Sequence, residues 1–111
     1  MTRPDQMERM RALRTSYMAT LATDIEEMRT LLTQSEMSGE DILRIRFLTH
    51  KIGGSAIVFD LSSLGEKALA AEATVLEAAV VPRTLLPAER MALEEAFADF
   101  LAEFRASTSL L

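Results

Sequence analysis

With 111 residues, 49% of them hydrophobic, the chain is sized for one domain built on one core. A net charge of −5 argues against a general nucleic-acid binder, because a phosphate backbone needs a basic face, and the absence of cysteine excludes disulfides, thiolate chemistry and the usual zinc clusters. Four glycines, three prolines and a composition rich in Ala, Leu, Met, Glu and Arg predict an all-α domain.

Thr2, Arg3, Pro4 and Asp5 lead into a segment studded with Arg and Glu rather than an apolar leader, and no apolar run is long enough to span a bilayer. The expected address is the cytoplasm, with no membrane partner.

A first amphipathic helix is predicted over about 4–35, where Met18, Leu21, Ile25, Met28 and Leu32 form one stripe. Asp24, Glu26, Glu27 and Arg29 fall on the opposite, wet face. Met7, Met10, Leu13 and Tyr17 drift off the stripe, so the first turns are expected to bend or to cap one end of a bundle.

Ser38 followed by Asp41 reads as a capping box, with Met37 stapled onto Ile42. The second helix then runs to about residue 58 with Ile42, Ile45, Thr49, Ile52, Ala56 and Phe59 inward and Leu48 beside them. After a short corner, Ser62 or Ser63 is the expected cap of a third helix reaching about residue 80, the latter paired with Glu66. Its inward positions are Leu61, Leu64, Ala68, Ala71, Val75 and Ala78, flanked by Leu69 and Leu76.

Pro82 ends that helix, and the last begins between Thr84 and Pro87. There Leu93, Phe97, Phe100, Leu101 and Phe104 make a wide apolar stripe opposite Glu89, Glu94, Glu95, Asp99 and Glu103. Residues 106–111 read as a frayed tail. Short connections between amphipathic helices predict an up-down-up-down antiparallel four-helix bundle over residues 1–111, as a single domain.

The only histidine, His50, lies in the second helix. Successive helical residues turn by about 100°, so His50 shares a face with Arg46, Phe47, Gly53, Gly54 and Ile57, while the stripe through Thr49 and Ile52 points elsewhere. An imidazole on a rim is a candidate nucleophile, uncharged in good part at neutral pH.

Each glycine inside a helix costs about 1 kcal/mol relative to alanine, so Gly53 and Gly54 need a reason. Two are available: clearance beside the imidazole for a partner or a phosphoryl group, or close packing of the second helix on the third. Arg46, the adjacent Lys51 and Lys67 of the third helix are candidate charges for a phosphoryl group, against the plain alternative of solvated side chains. Phe47 and Ile57, with Leu43 behind them, are either a greasy docking rim or half buried against a neighbouring helix.

The run His50-Lys51-Ile52-Gly53-Gly54-Ser55-Ala56, followed by Phe59, Leu64 and Ala68, resembles the signature of histidine-containing phosphotransfer (HPt) domains. The resemblance implies a stoichiometric phosphoryl carrier rather than a turnover enzyme. His50 would accept a phosphoryl group from an aspartyl phosphate on a receiver domain and pass it to another, with Gly54 as the small position that admits the receiver. It implies response-regulator receivers and a histidine kinase as partners, magnesium supplied by the receiver, no cofactor on this chain, and a monomer. The sequence departs from the pattern at Gly53, where the family often has a phosphoryl-holding lysine, and at Asp60, where it often has glycine.

Those departures keep a second function open, a helical docking module that binds a receiver or kinase without taking phosphate. Metal or haem binding is disfavoured because no second His and no Cys accompanies His50, and hydrolysis because no triad partner is placed beside it.

Overall fold

The apolar stripes become the facing surfaces of helices. The computed structural model describes residues 4–34, 37–78 and 86–109. Among the described residues there are four α-helices, α1 (Pro4–Leu32), α2 (Gly39–Ser55), α3 (Ser62–Ala78) and α4 (Pro87–Ser109), with a short 3₁₀ segment at Ala56–Phe59 after α2, and no strand. The expected stop at Pro82 and the earliest expected start of α4 lie outside the described residues.

Local chemistry sets two of the helix starts. The Ser38 hydroxyl accepts from the Asp41 N–H at 3.1 Å while the Asp41 carboxylate accepts from the Ser38 N–H at 3.0 Å, a complete capping box, and Met37 is buried beside Ile42 as its staple. At α4 the Leu86 N–H donates to Glu89 at 2.9 Å ahead of Pro87, whose ring suits the first helical position. Arg90 then reaches across to the open end of α1, donating to the carbonyls of Leu32 at 2.8 Å and of Gln34, which a helix C-terminus leaves without internal partners.

Two layers of side chains fill the interior. Leu21, Ile25, Met28, Leu48, Ile52, Leu64, Ala68 and Phe100 form one, and Leu32, Met37, Ile42, Ile45, Val75 and Leu93 the other. Each large member removed from water contributes roughly 1.5–3 kcal/mol. Phe97 touches both layers.

Polar clamps tie α1 to α2. Reading up α1, Arg14 donates to the Phe59 carbonyl at 2.7 Å, the Tyr17 and Ser55 hydroxyls meet at 2.8 Å, Lys51 donates to Asp24 at 2.9 Å, and Arg44 grips Glu27 with two nitrogens at 2.5 and 2.9 Å. Tyr17 also stacks on Phe59 with ring centroids 4.2 Å apart. Residue numbers rise on α1 as they fall on α2. Burial, against the weaker pull of the Ser55 hydroxyl, pushes the Tyr17 phenol above its ordinary range.

Several expectations change. Asp24 is buried, because Lys51 comes to meet it, rather than lying on a wet face. The first turns of α1 do not cap the bundle: they continue the helix without a break, with Met7, Met10 and Leu13 exposed. The C-terminal segment is not frayed from residue 106: α4 continues to Ser109, and Ser107 is buried.

The corner before α3 also differs. Gly65 N–H bonds the Leu61 carbonyl at 3.0 Å, so Leu61 occupies the cap position and α3 starts at Ser62 without a serine cap. Asp60 stands in the left-handed region, φ 60° and ψ 36°, and closes the preceding turn instead of opening the next. Leu61 N–H bonds Ala56 O at 2.9 Å and Asp60 N–H bonds Ile57 O at 3.2 Å, the paired bonds of a Schellman ending, which explains why a glycine suits this position.

Two outcomes are expected. Asp60→Gly raises stability by up to about 1 kcal/mol and Asp60→Val lowers it by about 1–2 kcal/mol, read from urea unfolding curves. The Arg44 hydrogen bonds hold the Glu27 carboxyl below its ordinary 4.5, so its contribution is present above pH 4.5 and is lost as pH falls through the lower folded value. Melting points of Glu27→Gln therefore lie below wild type at neutral pH and converge with it in acid.

Candidate functional site

Three residues of α2, Thr49, His50 and Ile52, separate the core stripe from the solvent face. Thr49 is buried and donates to the carbonyls of Ile45 at 2.9 Å and Arg46 at 3.0 Å, and Ile52 is buried outright, whereas His50 between them has a side chain 74% exposed. The backbone that carries the imidazole is thus anchored on both sides. Its ring stands in solvent.

One ring nitrogen is held. Nδ1 lies 3.0 and 3.2 Å from the two carboxylate oxygens of Glu72, whose own side chain is only 14% exposed. Nε2 has no hydrogen-bond partner among the described residues. Glu72 carries no signal within α2; it is the register of α3 against α2 that brings it level with His50.

The two glycines have different surroundings. A Cβ on Gly53 would meet Leu69 Cδ2 at 2.5 Å and Cγ at 2.8 Å, so Gly53 is where α3 lies against α2. Gly65 completes that approach, its missing Cβ falling 3.4 Å from both the Ala56 Cβ and the Gly53 carbonyl. A Cβ on Gly54 would meet nothing within 4 Å, and Gly54 is exposed. Close packing accounts for the first glycine and open space surrounds the second.

The basic residues also separate. Lys51 is turned towards α1 and bound to Asp24, away from the Nε2 edge of His50. Lys67 is exposed and level with Gly53 as its numbering suggests, but two residues from both Gly65 and Leu69 it is roughly 200° around α3 from the line that meets α2. Arg46, one turn before His50, is exposed and its side chain makes no ion pair or hydrogen bond among the described residues. It is the basic residue the helix leaves beside the imidazole.

Around this centre lies an apolar margin. Phe47 and Ile57 are 54% and 67% exposed, and Leu43, Val58 and Leu69 are exposed as well. Arg44 lies over the Phe47 ring, 5.2 Å from its centroid, which restrains the aromatic while leaving one face open.

Fold and site together define a helical module that leaves one imidazole nitrogen open to solvent. The family model for the Hpt domain matches residues 12–107, and the chain belongs to that family. Its members are histidine phosphotransfer modules of two-component phosphorelays, which interact with receiver domains and histidine kinases and act as phosphocarriers rather than turnover enzymes. No curated protein and no solved structure matches the chain. Among the described residues, no helix is long and apolar enough to cross a membrane.

The glycine environments make a prediction. Gly54→Ala, with open space around it, stabilises the fold by up to about 1 kcal/mol, while Gly53→Ala gains less because Leu69 must swing aside; thermal melts of the two variants rank them.

Proposed function

We propose that this chain is a phosphorelay intermediate in which His50 accepts a phosphoryl group from a receiver-domain aspartyl phosphate and passes it to a second receiver. The exposed imidazole of His50, with Nε2 unoccupied on a bundle of the Hpt family, is the observation that carries the reading. In the transfer, the Nε2 lone pair forms a bond to phosphorus as the bond to the aspartyl oxygen breaks, and the carboxylate departs with the electron pair. The divalent metal belongs to the receiver, so this chain needs no cofactor of its own, and the work is done in the cytoplasm by a monomer.

The surrounding residues take roles that suit this step. Arg46 offsets charge on the transferred group, and Gly54 leaves room for the receiver to approach. The apolar margin of Leu43, Phe47, Ile57 and Leu69 supplies contact area, since exposed apolar patches of this kind mark protein-binding sites. The up-down-up-down antiparallel bundle is part of the same proposal, supported by the opposed numbering of the contacts between α1 and α2 and between α2 and α3.

A docking module that never takes phosphate is the second reading. It is favoured by Gly53 at the usual lysine position and by the capture of Lys51 by Asp24. Incubation with each phosphorylated receiver of the source organism separates the two. The relay predicts transfer of an acid-labile, base-stable label to wild type and none to His50→Gln, whose stability stays within about 0.5 kcal/mol because the side chain is exposed. Label on His50→Gln removes His50 from the role, and a receiver that binds equally well to both proteins without transferring label establishes the docking module.

A further inference from the structure

We propose that the cleft at the N-terminal end of α3 is a binding site for a small zwitterion, an aliphatic α-amino acid. None of the residues placed around His50 lines it, and the inference does not depend on the phosphorelay reading.

The cleft holds about 300 Å³, the size of a small-molecule pocket at the low end of the range. Three helices build it. Arg14 comes from α1, residues 60–64 from the corner and first turn of α3, and Glu103 and Ser107 from α4, where a spacing of four puts them on one face.

The donors of the cleft are unused. The N–H groups of Ser62, Ser63 and Leu64 precede the Gly65 N–H that bonds Leu61, and none has a hydrogen-bond partner among the described residues. Leu61, in the cap position, has no side-chain acceptor to offer them. Arg14 places Nη2 on the Phe59 carbonyl at 2.7 Å, and its guanidinium forms no ion pair with Asp60 or Glu103, which share the cleft.

Ser107 points independently to a ligand. It is only 8% exposed, and its hydroxyl makes no hydrogen bond among the described residues. Thr15, Thr20 and Thr23 on α1 each donate to the carbonyl four residues back, but Ser107 does not bond Glu103 in this way. Among the described residues no fully enclosed side-chain polar atom lacks a partner, so the Ser107 Oγ is open to the cleft it lines.

Charge selects the ligand. The first amides of α3 carry the partial positive charge of a helix N-terminus, and with Arg14 they attract a carboxylate. Asp60 and Glu103 line the same space, and their carboxylates accept no hydrogen bond among the described residues. A plain anion would meet the repulsion of these two acids, and a plain cation that of Arg14. A carboxylate and an ammonium group one carbon apart satisfy both sets. Leu61 and Leu64 add an apolar wall for an aliphatic side chain.

The test follows backbone amide shifts of the nitrogen-15-labelled full chain on titration with L-alanine and L-leucine. Each is compared with its counterpart lacking the amine, propionate or isocaproate, and with its counterpart lacking the carboxylate, ethylamine or isoamylamine. Saturable shifts at Ser62, Ser63, Leu64 and Ser107 are expected with an amino acid, and binding of its two counterparts is expected to be roughly ten-fold weaker or more. Glu103→Gln is expected to abolish the preference for the amino acid over the carboxylic acid. Ser107→Ala is expected to weaken binding of both by roughly three- to ten-fold.

Carboxylic acids that bind as tightly as the amino acids mark a plain anion site and overturn the inference. Absence of saturable shifts at these amides with either amino acid overturns it too, as does undiminished binding by both variants. None of these outcomes bears on phosphoryl transfer to His50.

Discussion

The close approach of α2 and α3 at Gly53 and Gly65 is the constraint on which the site depends. With no side chain on either residue, the Gly53 carbonyl and Ala56 sit against Gly65, and Leu69 folds over Gly53. One turn back along α2 the same register brings His50 level with Glu72. A Cβ on Gly53 would have to displace the Leu69 side chain and one on Gly65 would already be in contact, so residues bulkier than alanine at these positions would push the helices apart and move the carboxylate away from the imidazole. Helix propensity lost at these glycines, about 1 kcal/mol each, is offset by a contact that sets α3 against α2 beside His50.

Helix α1 shapes the site from the other side. Asp24 and Glu27 draw Lys51 and Arg44 off the open face, and Tyr17, Ser55 and Arg14 pin the 3₁₀ segment that follows α2. The exposed surface around His50 carries Phe47, Leu43 and Ile57, with Arg46 exposed one turn before the imidazole. Surface ion pairs such as Arg44 with Glu27 add little to stability in themselves, so their larger effect here is on where charge is displayed.

Much of the fold was legible in the sequence because burial follows the helical period. The stripe Ile42, Ile45, Leu48, Thr49, Ile52 and Ala56 is buried as spacing predicts, and the Ser38 box forms because its partners are three residues apart in the chain. What spacing could not supply was anything decided between helices. Asp24, three residues after Leu21 and four before Met28, borders the apolar stripe of α1, and only Lys51 from α2 makes a buried carboxylate there tolerable. Glu72 and Gly65 carry no local signal, since each matters only through a residue of α2. Gly53 and Gly54 look alike in sequence, and only the position of Leu69 tells them apart. Ser107, Thr108 and Ser109 are weak helix formers, yet α4 continues through them to Ser109, with Ser107 buried.

A docking footprint tests the central claim most directly. Backbone amide shifts of the labelled chain would be followed as the receiver domain that exchanges phosphate fastest is added in its unphosphorylated form. The largest shifts are expected on one face, at Leu43, Phe47, Gly54, Ile57 and Leu69 around His50. Shifts concentrated on α1 and α4, with the His50 face undisturbed, would contradict it.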